Sequence, residues 1–259
     1  MSIPTDSFSG LLVSCMAGVT RGVIVKTAIN PLEVVKVRLQ ASYVDETSCT
    51  CFKVIKDLYS QDGSKAFFRG LKPQVKRTCI KQAWGWPLLM YTSKFLDDYS
   101  LSSPVKQGVL GLSIATVDAG LGTPFERLRM AETEKTSLKL NLKNAWKGMG
   151  VQWCKLAIQW PGFLVTQDFL KKRRKETLQI NNLAFTDLTF IGIQTAFIVG
   201  AISAPADFAN TAKQVKDKGG QSLLTRNAFQ GMLRSLPVAL LSLTINNVAS
   251  VVLLDMLKI

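Results

Sequence analysis

The stretch NPLEVVKVRLQ, residues 30–40, sets a proline, a carboxylate, a lysine, an arginine and a glutamine at helical spacing directly after an apolar run. A proline inside a helix removes one backbone hydrogen bond and bends the chain. After Pro31, Glu33, Lys36 and Gln40 are separated from one another by three and then four residues, so they share one helix face. The pattern returns as PFERLR from Pro124 and PADFAN from Pro205, with a carboxylate two residues after each proline: Glu33, Glu126 and Asp207. Thirteen residues before each proline stands Gly18, Gly111 or Gly192, and four residues later Gly22, Ala115 or Ala196. Small residues four apart let helix backbones approach closely in a membrane. Downstream the copies close on AFFRG, AWKG and AFQG. The chain is therefore one domain, 1–259, with three repeats spanning about 7–99, 104–175 and 183–259.

Composition narrows the class. Nearly half the residues are hydrophobic, yet Lys and Arg number 32 against 18 Asp and Glu, a formal net charge of +14. An apolar, strongly basic chain reads as a membrane protein with cations in its loops or around an anion, not as a nucleic-acid binder. Apolar stretches of about membrane-spanning length lie around 8–30, 78–96, 105–123, 151–170, 184–206 and 236–257, and no sheet-like alternation is sustained. The expectation is an all-α membrane protein with six amphipathic spans. There is no histidine, which removes imidazole catalysis and histidine metal sites. The five cysteines lack zinc or CxxC spacing and read as free thiols. No metal, cofactor or enzyme activity is expected. The start, MSIPTDSFSG, has no basic and then apolar signal pattern, so any targeting is internal.

PLEVVKVRLQ fits the signature P-x-[DE]-x-x-[KR]-x-[KR] with a following Gln, and FFRGLKPQVKR resembles the partner motif on the next helix; together they resemble the mitochondrial carrier family. The resemblance implies six transmembrane helices in three pseudo-threefold repeats, a monomer in the inner mitochondrial membrane, and a gate of ion pairs where the proline-bearing helices converge. It implies that Glu33 pairs with Arg129 and Asp207 with Lys36. Glu126 should meet the third repeat's basic residue, but Asn210 stands there, leaving one weaker hydrogen bond. Gln40 and Gln214 occupy the places of bracing glutamines, with Thr133 at the matching place in repeat two. At the opposite end the family's second gate is reduced to Asp168 with Lys171, to Asp255 with Lys258, and to YTSK without a carboxylate. CFKVIKDLYSQDG resembles the family's short matrix helix, whose N-terminus would offer backbone N–H groups to cardiolipin as a structural lipid. The later repeats are about a dozen residues shorter there.

Charge inside a membrane span marks a site candidate. Lys26 stands five residues before Pro31, Arg77 seven after Gly70 and Lys155 seven after Gly148; the third-repeat counterpart is Val238. With Leu156 and Gln159 these residues form the expected substrate site, and Arg21 is a further cation of the first helix. Such a site suits phosphate or carboxylate oxygens through charge-assisted hydrogen bonds. VKTAINP resembles the first helix of ADP/ATP carriers, which makes a nucleotide the leading substrate. Other features depart from those carriers: Lys155-Leu156 replaces the Gly and aliphatic pair, the third-repeat arginine is absent, and the region of their RRRMMM run reads NTAKQVKD. Trp84 and Trp86 read as interfacial anchors, with base stacking as the alternative. KKRRK, Lys171 to Lys175, reads as a solvated helix cap or anionic-lipid contact.

Two function classes follow. The first is a solute carrier exchanging or importing a small anion, with phosphate, carboxylate or nucleotide-like cofactors as alternatives to ATP or ADP. The second is a carrier-fold membrane protein that no longer transports. The shortened, divergent chain fits a parasite protein, a pathogen protein delivered to host mitochondria, or an ordinary eukaryotic paralogue.

Overall fold

A computed structural model describes residues 8–44, 49–135, 144–179, 183–216 and 226–256. The described chain is helical, as the sequence predicts. Six long helices, α1 (Phe8–Val44), α3 (Leu71–Asp97), α4 (Ser103–Thr133), α5 (Met149–Leu178), α6 (Phe185–Lys216) and α7 (Arg226–Met256), are joined by the short α2 (Cys51–Asp62) and a 3₁₀ turn over Gly63–Phe68. Neighbours pack in chain order, α1 on α3, α3 on α4, α4 on α5, α5 on α6 and α6 on α7, and α7 returns to α1. The result is a closed ring. At a rise of 1.5 Å per residue, the 37-residue α1 is about 55 Å long, well beyond a hydrocarbon core of about 30 Å.

The ring is polar inside and apolar outside. Asn30, Gln40, Asp118, Glu126, Gln152, Asp207 and Asn210 are buried, whereas Met16, Ile24, Tyr91, Ile202 and Leu241 lie at the surface. A soluble protein distributes these types the other way; a lipid-facing exterior explains the inversion. Among the described residues, helices α4 and α6 are apolar enough to read as membrane spans by composition, while α1, α3 and α5 carry the interior cations Lys26, Arg77, Lys81 and Lys155. Each of the six long helices also contains a proline: Pro31, Pro87, Pro124, Pro161, Pro205 and Pro237.

Close approaches hold the ring together. A Cβ on Gly22 would lie 2.4 Å from Thr78 of α3, and one on Gly111 would lie 2.5 Å from the Pro161 backbone of α5. These are the small-residue positions of the repeat. Gly70 and Gly148, with φ of 73° and 86°, open α3 and α5 in the left-handed region that favours glycine. Each also lies against the residue nine after the next repeat's proline, Thr133 and Gln214 respectively.

The expected amphipathic helix of repeat one is α2. Thr50 caps it, accepting from Lys53 N–H at 3.3 Å. Val54 and Leu58 pack against Val34, Val35 and Leu39 of α1 and Phe208 and Ala212 of α6. That contact underpins the end of the bundle where the three proline motifs meet, at about 1.5–3 kcal/mol per buried aliphatic side chain. The corresponding linkers of the later repeats, 136–143 and 217–225, and the outer pair Asp255 and Lys258 lie outside the residues whose side chains are described.

Candidate substrate-binding and gating site

Helices α1, α4 and α6 approach one another, and their motif carboxylates form the hub of the site. Each one has two cation partners. Glu33 is ion-paired with Arg129 and, at 3.1 Å, with Lys26, and accepts from Gln74 at 2.9 Å. Glu126 is held by Arg77 at 2.9 Å and by Arg129 at 3.0 Å. Asp207 is ion-paired with Lys36 and, at 2.6 Å, with Lys155. One partner in each case comes from the proline motifs. The other, Lys26, Arg77 or Lys155, is a cation picked out from the sequence as a substrate ligand.

The repeats explain this arrangement. Arg77 and Lys155 stand seven residues after the glycines that open α3 and α5, and each reaches the motif carboxylate of the following repeat. The third counterpart is Val238, which brings no charge to Glu33. Lys26 of α1 fills that role from within the first repeat.

Two of the predicted gate pairs, Glu33 with Arg129 and Lys36 with Asp207, are present. The third corner differs from expectation. Asn210 does not meet Glu126; its amide oxygen accepts from Gln214 at 3.0 Å, and its nitrogen has no partner among the described residues. Glu126 instead draws on Arg129, one helical turn along α4, because an ionised carboxylate bonds a nearby guanidinium more strongly than a neutral amide.

The two glutamines act as cross-links. Gln214 donates to Gln152 of α5 at 2.8 Å. Gln40 donates to Ser235 of α7 at 3.3 Å and to Asp207 at 3.4 Å, and accepts from the Thr211 hydroxyl at 2.7 Å. Gln152 and Ser235 occupy one repeat position, four after Gly148 and Gly231. Thr133 has no such bridge and returns its hydroxyl to the Arg129 carbonyl at 2.8 Å.

Two further expected residues sit elsewhere. Leu156 is packed between α4 and α5 against Ala115, Ala119 and Trp160, facing a helix contact rather than the cations. Asp168 accepts from Ser103 of α4 at 2.7 Å and pairs with Lys172 at 2.9 Å, not with Lys171. Lys171 and Lys172, three and four residues on, both neighbour Asp168 on that helix face, and the ion pair is made by Lys172. Gln159 donates to Ser203 of α6 at 3.2 Å, joining the two helices.

Two interior residues outside the motifs complete the network. Asp118, buried in α4, binds Arg77 at 2.9 Å and Lys81 at 3.2 Å, and accepts from the Trp160 indole at 3.4 Å. A carboxylate within an apolar span was the available signal for Asp118, and spacing one turn from Arg77 was the signal for Lys81. Outside the ring, Arg38 pairs with Glu134 at 3.2 Å, and Asp62 with Lys135 at 2.9 Å and with Arg69, tying repeat one to the end of α4. Burial pushes the Glu134 carboxyl up from its ordinary pKa, and Arg38 opposes that shift.

A family model described as mitochondrial carrier protein matches residues 8–100, the repeat in which the proline motif is complete. The chain is 32% identical over 147 residues to calcium-dependent mitochondrial ATP-magnesium/phosphate carrier protein 3 of Arabidopsis thaliana, covering 53% of this chain and 30% of that relative. It is 24% identical over 236 residues to mitochondrial ornithine transporter 1 of Saccharomyces cerevisiae, covering 80% of each. The threefold motif, the closed ring of six helices with a charged interior, and these similarities agree: residues 8–100 match the mitochondrial carrier model, and the chain as a whole is similar to mitochondrial carriers, multi-pass proteins of the inner mitochondrial membrane.

Proposed function

We propose that this chain moves a small polyanion across the inner mitochondrial membrane by alternating access, with a nucleotide such as ATP or ADP as the leading substrate. The observation that carries the reading is the sharing of carboxylates. Lys26, Arg77 and Lys155 are each bound to a carboxylate that also holds the gate. An anion that takes one of these cations therefore removes a partner from the gate at that corner. A buried ion pair is costly once one member is lost, so the substrate's own charge biases the gate toward opening. That is differential affinity for two states, the condition for a ligand to shift an equilibrium.

Charge balance supports a polyanion. The ion-paired interior contains six cations, Lys26, Lys36, Arg77, Lys81, Arg129 and Lys155, and four carboxylates, Glu33, Asp118, Glu126 and Asp207. Two positive charges are left over, which a dianionic or more highly charged solute would neutralise. The nucleotide rests on the resemblance of Lys26 and Arg77 to phosphate-binding positions of ADP/ATP carriers, and on a relative named for ATP-magnesium and phosphate.

The test is uptake by proteoliposomes of labelled ATP, ADP, phosphate, dicarboxylates, amino acids and cofactors, with and without internal counter-substrate. The expected result is saturable nucleotide uptake that is lost in Arg77→Ala. Uptake of a different anion alone would keep the carrier and discard the nucleotide. No uptake by folded protein would favour a non-transporting carrier fold.

A further inference from the structure

Seven of the interior charges form one alternating chain: Lys26, Glu33, Arg129, Glu126, Arg77, Asp118, Lys81. It begins and ends on a lysine. The two inner cations are each bound to two carboxylates, whereas each terminal lysine has one. Side-chain exposure follows the same order, 13% for Arg129 and 20% for Arg77 against 29% for Lys26 and 30% for Lys81. An incoming anion gains most from a cation that is least neutralised and already in touch with water. The ends of the chain meet both conditions better than its middle does.

Lys26 is one such end. The other, Lys81, belongs to no repeat motif, yet the structure builds a seat for it. Its ammonium lies 4.3 Å from the ring centroid of Trp160, within cation–π range, and 3.2 Å from Asp118 Oδ2. The Trp160 indole donates to that same oxygen, so ring and carboxylate are fixed relative to each other. Across the cluster, Gly122 is bare of side chain, and a Cβ there would lie 2.7 Å from Arg77 Nε and 2.9 Å from Asp118 Oδ1. Lys81 stands four residues beyond Arg77 on α3, about 6 Å further from the gate at helical rise.

We infer that Lys81, seated on Trp160 and Asp118, is a second substrate anchor that binds the outlying phosphate or carboxylate group of an elongated polyanion, and that Asp118 limits the negative charge the substrate carries. This rests on the anion-carrier reading above. A phosphate at Lys81 uses its free donors without displacing Arg77, while the near end of the substrate engages the cations at the gate. Asp118 neutralises part of this end of the site, so removing its charge raises the interior excess by one and favours solutes with one more negative charge.

The experiment is a comparison of kcat/KM for uptake of adenosine mono-, di- and triphosphate by proteoliposomes. The variants are Lys81→Gln, Lys81→Arg, Asp118→Asn and the Lys81→Gln with Asp118→Asn pair, which removes both charges together and keeps the seat neutral. Lys81→Gln is expected to raise KM for the most highly charged transported nucleotide about tenfold with little change in kcat, and Lys81→Arg to restore it. Asp118→Asn is expected to tilt the preference toward the more highly charged nucleotide by a similar factor. Equal losses for all three nucleotides, or an unchanged KM in Lys81→Gln and in the double variant, would overturn the inference while leaving the carrier in place. Absence of anion uptake by the unmodified protein would overturn both.

Discussion

The corner between α1 and α4 and the corner between α4 and α6 are the same place in the pseudo-threefold design, but they are built differently. At the first, Glu33 of α1 meets Arg129 of α4 across the helix interface. At the second, Asn210 replaces the cation, and Glu126 turns back to Arg129 on its own helix and inward to Arg77 on α3. The network has been redistributed rather than cut. Arg129 now serves two carboxylates, and Lys26 does for Glu33 what Val238 cannot. Cross-helix charge is thus concentrated between repeats one and two, where Arg38 with Glu134 and Asp62 with Lys135 add peripheral ties. Among the described residues no ion pair joins α4 to α6, and the third repeat is tied in by Lys36 and Lys155 at Asp207.

This asymmetry sets an order of effects. Arg129→Ala should be the most damaging change, because it strips one partner from the buried Glu126 and from the largely buried Glu33. A loss of about 3–5 kcal/mol is expected for a broken buried pair, read as lower thermal stability in detergent together with loss of uptake. An effect no greater than that of Lys36→Ala would contradict the double role.

Lys26→Ala should leave Glu33 with one cation partner and sharply reduce uptake. Adding Val238→Lys, which places a cation at the third-repeat position equivalent to Arg77 and Lys155, should restore part of it. Without any rescue, the assignment of Lys26 as the replacement for that cation would fail.

Asn210→Lys should sharpen the comparison from the other side by giving the α4–α6 corner its missing charge. A charged hydrogen bond of about 1.5–3 kcal/mol should raise thermal stability and slow turnover, since the gate then costs more to open. Unchanged stability would mean that Arg77 and Arg129 already satisfy Glu126 fully. The smallest effect is expected for Gln214→Ala, which removes the hydrogen bond to Gln152 and costs about 1 kcal/mol in the same thermal measurement.

The proline motif made the fold and much of the ion-pair network legible, because its carboxylates and cations recur in fixed register on three helices. Glu33, Arg129, Lys36 and Asp207 needed only that register. Glu126 did not follow it, since the residue that completes its coordination, Arg77, comes from another helix whose reach is set by packing. Leu156 illustrates the same limit. Sequence placed it beside Lys155, but neighbouring residues on a helix point about 100° apart, and this one turns into the α4–α5 contact. Lys81 and Asp118 have no charged counterparts at the matching positions of the other repeats, so the periodicity of charge could not raise them; the cost of charge within an apolar segment and, for Lys81, spacing one turn from Arg77 marked them. At the opposite end, Asp168 pairs with Lys172 rather than Lys171, a choice that spacing of three or four residues leaves open.

The most direct test of the central claim, that an anion drawn to the interior cations opens the gate, is chemical access to position 210. Asn210 is fully buried beneath the converging helices. In a chain with its five cysteines replaced by serine, Asn210→Cys would be treated with a membrane-impermeant maleimide from the gated side, with and without a transported anion on the opposite side. The account predicts little labelling without the anion and a marked rise with it, abolished by Arg77→Ala. Labelling that is the same with every anion and with none would contradict it.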